Sequence, residues 1–177
     1  SILSKKVKED YIIVNNDDDF LILENVLMLK SLLSTKGPEY VAILGKTVRC
    51  FTFTKEGQTV IDREIVFGGI REATGTPKEN LFNNMSMESW MGVFKIAAAR
   101  TQWQEAAKLG RMHTMNITIF NLPLVMGKIA FEDKLIRVFE SYKKDAYPHP
   151  LETFLTKAGL EDLVIISETF EKYIDKK

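Results

Sequence analysis

Few residues in this chain could do covalent chemistry. Cys50 is the single thiol, and His113 and His149 are the two imidazoles. A thiolate nucleophile needs a base beside it, yet Cys50 sits inside Val48-Arg49-Cys50-Phe51-Thr52-Phe53-Thr54, an alternating run of strand type, with neither histidine close in sequence. Its expected role is that of a small buried hydrophobe. One cysteine and two dispersed histidines do not make a zinc pattern, which needs four close-set ligands. Gly45-Lys46-Thr47 looks like the end of a phosphate-binding loop. Such a loop needs a glycine where this chain has Tyr40, and a helix after the threonine where this chain continues as a strand. Asn15 to Asp19, two asparagines and three aspartates, invites a calcium reading. The helix-loop-helix calcium pattern requires a central glycine and a closing glutamate, and here apolar residues begin at Phe20. Carboxylates are scattered without the spacing of an acid and base pair, and no dinucleotide fingerprint or nucleophile elbow occurs. No catalytic residue, cofactor or metal is expected.

The elements around these residues are clearer. With 177 residues, 45% hydrophobic and 27% charged, the chain suits one α+β domain spanning 1–177 with a short basic N-terminal tip. Equal numbers of basic and acidic side chains, 24 of each, give no bulk field for a polyanion and point to no specific nucleic-acid sequence, though a local basic patch stays open. No window approaches the roughly 18 apolar residues of a membrane span, and a lone cysteine suits a reducing, cytoplasmic setting.

Spacing predicts a helix from about Asp18 to Thr35, with a broad apolar face of Phe20, Leu23, Val26, Leu27, Leu29, Leu32 and Leu33. A β-hairpin follows over 48–67, turning at Lys55-Glu56-Gly57-Gln58. Thr76, Pro77 and Glu79 form a capping box for a short helical turn. Ser86 to Leu109 reads as one long central helix, and alternation over 112–120 predicts a third strand, completing a small antiparallel sheet packed against amphipathic helices. Residues 124–129 and 164–167 could be either strand or helix. Helices are expected from about Phe131 to Lys143, from Pro150 to Ala158-Gly159, and over Leu160 to Ile174.

The central segment is apolar on two sides. Val93, Ile96 and Trp103, with Arg100 among them, form a second face, and Gly92, Ala99 and Ala106 beside it are small enough for close backbone approach. Such a helix is either covered on both sides by its own chain or packs against another subunit. The second possibility makes Val93, Ile96, Arg100 and Trp103 candidate self-association residues. Lys5, Lys6 and Lys8 form the basic tip, a candidate contact for an anionic surface; at about 1 kcal/mol each near an anionic bilayer they would attach only weakly. Tyr147-Pro148-His149-Pro150-Leu151 is too rich in proline to be anything but a linker or exposed loop.

That stretch is similar to the tyrosine-proline late motif by which some viral structural proteins recruit budding machinery, marking Tyr147, Pro148 and Leu151 as a candidate partner peptide. In size and order of elements the chain resembles rhabdovirus matrix proteins, particularly the short ones of plant rhabdoviruses. It lacks the proline-proline-x-tyrosine motif and the long, strongly basic arm common in the animal members. The resemblance implies homo-oligomerisation, contact with the nucleoprotein or another viral protein, peripheral attachment to an anionic membrane surface, and a place in the virion. The expected function is that of a non-enzymatic structural protein that self-associates and bridges larger partners. The alternative is a small enzyme or ligand-binding domain with a pocket between sheet and helices.

Overall fold

Strand β3 (Tyr40–Lys55) runs through the middle of the chain's core. In a computed structural model that describes residues 7–15, 19–67, 72–84, 92–142 and 156–175, β3 pairs in parallel with β6 (Lys128–Tyr142) on one side. On the other side its first half pairs antiparallel with β5 (Gly92–Lys95) and its second half with β4 (Gln58–Phe67). Strand β1 (Tyr11–Ile13) extends the sheet beyond β5, and β2 (Asp19–Leu21) extends it beyond β6. The fold is α+β, and its six-stranded sheet is mixed rather than antiparallel.

Val41 to Leu44 is an unbroken apolar run because both faces of the sheet are covered there. Ala42 and Leu44 point into a cluster with Phe94, Ile129, Ala99 and Leu124. Ile43 points the other way, to Val93, Ala130, Ile136 and the side chains Val26, Leu29 and Leu33. These last belong to α1 (Leu23–Thr35), which covers one face. The other face carries α3 (Ile96–Ala106) and α4 (Met112–Met126). Between β4 and β5 lies α2 (Pro77–Asn84), and α5 (Lys157–Ile174) packs outside α4.

The hairpin predicted over 48–67 is present, and its first strand begins earlier, at Tyr40. Glu56 and Gly57 both take positive φ at its turn, 52° and 78°, the pair of left-handed residues that matches strand twist. The capping box is also in place. Thr76 N–H donates to Glu79 Oε2 at 2.8 Å and Glu79 N–H donates back to Thr76 Oγ1 at 3.3 Å.

Five predicted elements are corrected. The strand over 112–120 is the first part of α4. Its alternation carried no information about period, since Thr114, Thr118, Ile119, Phe120, Leu122 and Val125 are all buried and the helix is enclosed nearly all round. Pro123 lies inside α4, which runs through it to Met126. Proline has no N–H for the carbonyl of Ile119, one turn back, and buried Gln102 of α3 donates its Nε2–H to that carbonyl instead.

The helix predicted over 86–109 begins only at Ile96. Residues 92–95 form β5, where Val93 and Phe94 bury opposite faces of the sheet, so a strand covered on both sides had imitated a helix that is greasy on two sides. Gly92 is needed there, because a Cβ would stand 2.4 Å from the carbonyl oxygen of Ile43.

The helix predicted near 131–143 is β6. Its register against β3 shifts on either side of Lys46, so Phe131 and Leu135 lie four residues apart in a strand, the spacing of a helix. Gly45 lets the irregular stretch approach, since a Cβ would meet the Lys134 carbonyl at 2.8 Å. Backbone groups there are met by α1 and the residue before it: Asn25 Nδ2 donates to Leu135 O at 2.7 Å and Ile22 N–H to Ile136 O at 2.9 Å.

The helix expected from Asp18 begins at Leu23, after β2. At the other end of the chain, 124–126 close α4, while 164–167 lie within α5. Gly159, expected to close a helix, sits in the first turn of α5, where its N–H donates to Thr156 Oγ1 at 3.1 Å.

Candidate interaction surface

The residues proposed as a self-association face are not one face. Val93 is 2% exposed in the sheet, enclosed by α1 and β3, and cannot meet a partner. Ile96, Arg100 and Trp103 are half-buried on α3. Arg100 Nη2 donates to the carbonyl of Val7. The Trp103 ring packs against the cluster of Ala106, Ile119 and Phe120, as Met115 does. The small residues Ala99 and Ala106 do admit a close neighbour, but that neighbour is α4 of the same chain. The two-sided grease of this region is thus largely covered from within.

The remaining candidates are placed as follows. Lys8 is exposed, while Lys5 and Lys6 lie outside the described residues, as do Tyr147, Pro148, His149 and Leu151. Cys50 is half-buried on β3 and forms no disulfide. Gly45, Lys46 and Thr47 lie within β3, with Lys46 paired to Asp133 and Thr47 buried, so no phosphate cradle forms there. From the acidic stretch, Asp19 turns inward. Its carboxylate is 3.6 Å from the fully buried guanidinium of Arg137, which also donates to the Val14 carbonyl. Burial pulls the pKa of Arg137 below its ordinary value, and the charge of Asp19 partly offsets this. Arg137 ties the connection between β1 and β2 to the sheet.

Apolar side chains meet water elsewhere. Leu23 and Leu27 stand one turn apart on the outer side of α1, 64% and 54% exposed, and Phe20, on the strand leading into it, is 70% exposed. A narrow groove of about 90 Å³ opens beside Leu27 between β1 and α1, lined by Tyr11, Ile13, Val26 and Lys30. Leu160, Leu163 and Val164 form a second exposed set on α5, and Phe82 protrudes from α2. Helical spacing places Phe20, Leu23 and Leu27 on the expected apolar face, yet they are exposed. The missed sign was width: seven apolar residues from Phe20 to Leu33 span more of a helix than one contact with a sheet can hide.

A polar cleft of about 530 Å³ lies at α2, lined by Glu72, Gly75, Glu79, Asn80, Asn83 and Asn84. Among the described residues no three His, Cys, Asp or Glu side chains are grouped to hold a metal ion. Among the same residues no helix is long and apolar enough to cross a membrane. No protein-family model matches the chain, and no curated protein does.

Proposed function

We propose that the protein is a non-enzymatic structural protein that self-associates and bridges larger partners, with the outer side of α1 and β2 as its self-contact. The observation that carries this reading is the exposure of Phe20, Leu23 and Leu27 together, beside an apolar groove. Complete burial of a large apolar side chain contributes about 1.5–3 kcal/mol, so three partly exposed ones supply on the order of 4 kcal/mol. Association costs about 4–15 kcal/mol in lost freedom. A lone dimer through this patch is therefore weak, and the patch suits an array in which each contact adds to others. The resemblance to rhabdovirus matrix proteins gives the reading its specific form: a cytoplasmic and virion protein between nucleocapsid and membrane, with Lys5, Lys6 and Lys8 as an anionic contact and Tyr147, Pro148 and Leu151 as a partner peptide.

Sedimentation at rising protein concentration tests the proposal. The native chain should associate only at the upper, millimolar end of the series, and Leu23→Ser/Leu27→Ser should remain monomeric with an unchanged circular dichroism spectrum. Ile96→Ser/Trp103→Ser should associate like the native chain or lose its fold. A native chain that stays monomeric at the highest concentration refutes self-association. The cleft at Glu72, Asn80 and Asn83 would then favour the alternative, a domain that binds a small polar ligand.

A further inference from the structure

Two lysines from separate elements lie over one aromatic ring, and a third bonds the turn beside it. Lys36 follows the last turn of α1, Lys95 ends β5 and Lys128 begins β6, while Tyr40 opens β3 between them. The Lys36 ammonium lies 5.3 Å from the centroid of the Tyr40 ring and that of Lys128 lies 5.7 Å from it. Lys95 Nζ donates to the Gly37 carbonyl at 3.0 Å, in the turn that joins α1 to β3. All four side chains are half-buried at this corner. None of the three lysines pairs with a carboxylate among the described residues. Glu39 is the only acid in the turn, and its carboxylate is folded back against Gly37.

The negative end of the α1 dipole accounts for Lys95, which bonds a carbonyl there. It does not account for Lys36 and Lys128, whose ammonium groups are held over the ring with their N–H donors directed to no protein acceptor among the described residues. Like charges gathered around a tyrosine, in a chain with as many acids as bases, concentrate positive potential at one corner. We propose that this corner, Lys36, Tyr40, Lys95 and Lys128, binds the phosphodiester backbone of single-stranded nucleic acid, independently of sequence. Lysines gathered at one groove or corner are the recurring equipment by which such sites take successive phosphates. An anionic bilayer fits less well. Basic groups at a membrane surface work beside inserted apolar side chains, and the large exposed ones, Phe20, Leu23, Leu27, Phe82, Leu160, Leu163 and Val164, lie on none of α1's C-terminal turn, β5 or β6.

The test uses the full chain and a short fluorescein-labelled single-stranded RNA of mixed sequence, with anisotropy followed across a salt series. Phosphatidylserine–phosphatidylcholine vesicles are run in parallel. The native protein should bind the RNA at low salt, with log K against log salt falling at a slope of roughly −2 for three contacted phosphates. Lys36→Gln/Lys128→Gln should weaken binding by about tenfold or more at low salt and make the slope shallower by about 1.4. Lys36→Gln alone should account for half of that change in slope. Lys55→Gln/Lys172→Gln, with the same loss of charge on exposed positions elsewhere, should leave both quantities within error. The proposal is overturned if the native chain ignores RNA, if it binds vesicles alone, or if both double variants bind RNA equally well.

Discussion

Replacing Gln102 tests how α4 passes through a proline. Gln102 is 3% exposed, and its Nε2–H is the donor that reaches the Ile119 carbonyl left open by Pro123. Gln102→Leu keeps the bulk of the side chain and removes the donor. The lost hydrogen bond is worth about 1 kcal/mol, and a buried carbonyl left without a partner costs about 1–3 kcal/mol. The variant should therefore lose about 2–4 kcal/mol. At about 2–4 °C per kcal/mol for a domain of this size, that lowers the melting midpoint by about 4–16 °C. Pro123→Ala supplies a backbone N–H one turn after Ile119, so in that background Gln102→Leu should cost about 1 kcal/mol or less. Urea denaturation of the four proteins, native, two single variants and the double, gives the coupling directly. Strictly additive effects, or a loss under about 0.5 kcal/mol for Gln102→Leu alone, would refute the assignment of Gln102 as the replacement donor.

Gly92→Ala should cost about 2–3 kcal/mol in urea denaturation by forcing β5 away from β3, since the new methyl would stand 2.4 Å from Ile43 O and 3.0 Å from Leu44 Cα; a change below about 0.5 kcal/mol would show that the strands do not approach so closely. Glu79 gives a pH dependence confined to α2. The Thr76 backbone N–H and then its hydroxyl hold the Glu79 carboxyl below the usual value of 4.5. A depressed folded-state pKa means that the capping box stabilises α2 above that usual value and loses its contribution as pH falls through the lower, folded one. Amide exchange at Asn80, whose N–H donates to Thr76 O at 2.8 Å, should therefore accelerate beyond its normal acid trend below about pH 4.5 in the native chain and not in Glu79→Gln; identical profiles would count against the box as a titrating cap.

Local rules were enough wherever a few neighbouring residues decide the geometry. The α+β class, the hairpin turn at Glu56-Gly57, the Thr76-Pro77-Glu79 cap and the helical spacing over 160–174, though not the choice between helix and strand at 164–167, follow from turn chemistry, capping and periodicity within short windows. Tertiary structure decided the rest, because burial on every side erases the period on which such reading depends. Gly92 to Lys95 became a strand only because β3 and β1 flank it, and Met112 to Phe120 became a helix because α3, α5 and the sheet enclose it. Lys128 to Tyr142 carried helical spacing in a strand because its bulge needs Gly45 of another element. The surfaces were decided in the same way. Trp103 and Leu27 are both large and apolar, and only the placement of α4 covers the first while nothing among the described residues covers the second. Lys36, Lys95 and Lys128 are far apart in the chain, and it is the pairing of β3 with β5 and β6 that brings Lys128 to the ring of Tyr40 and Lys95 to the turn that carries Lys36.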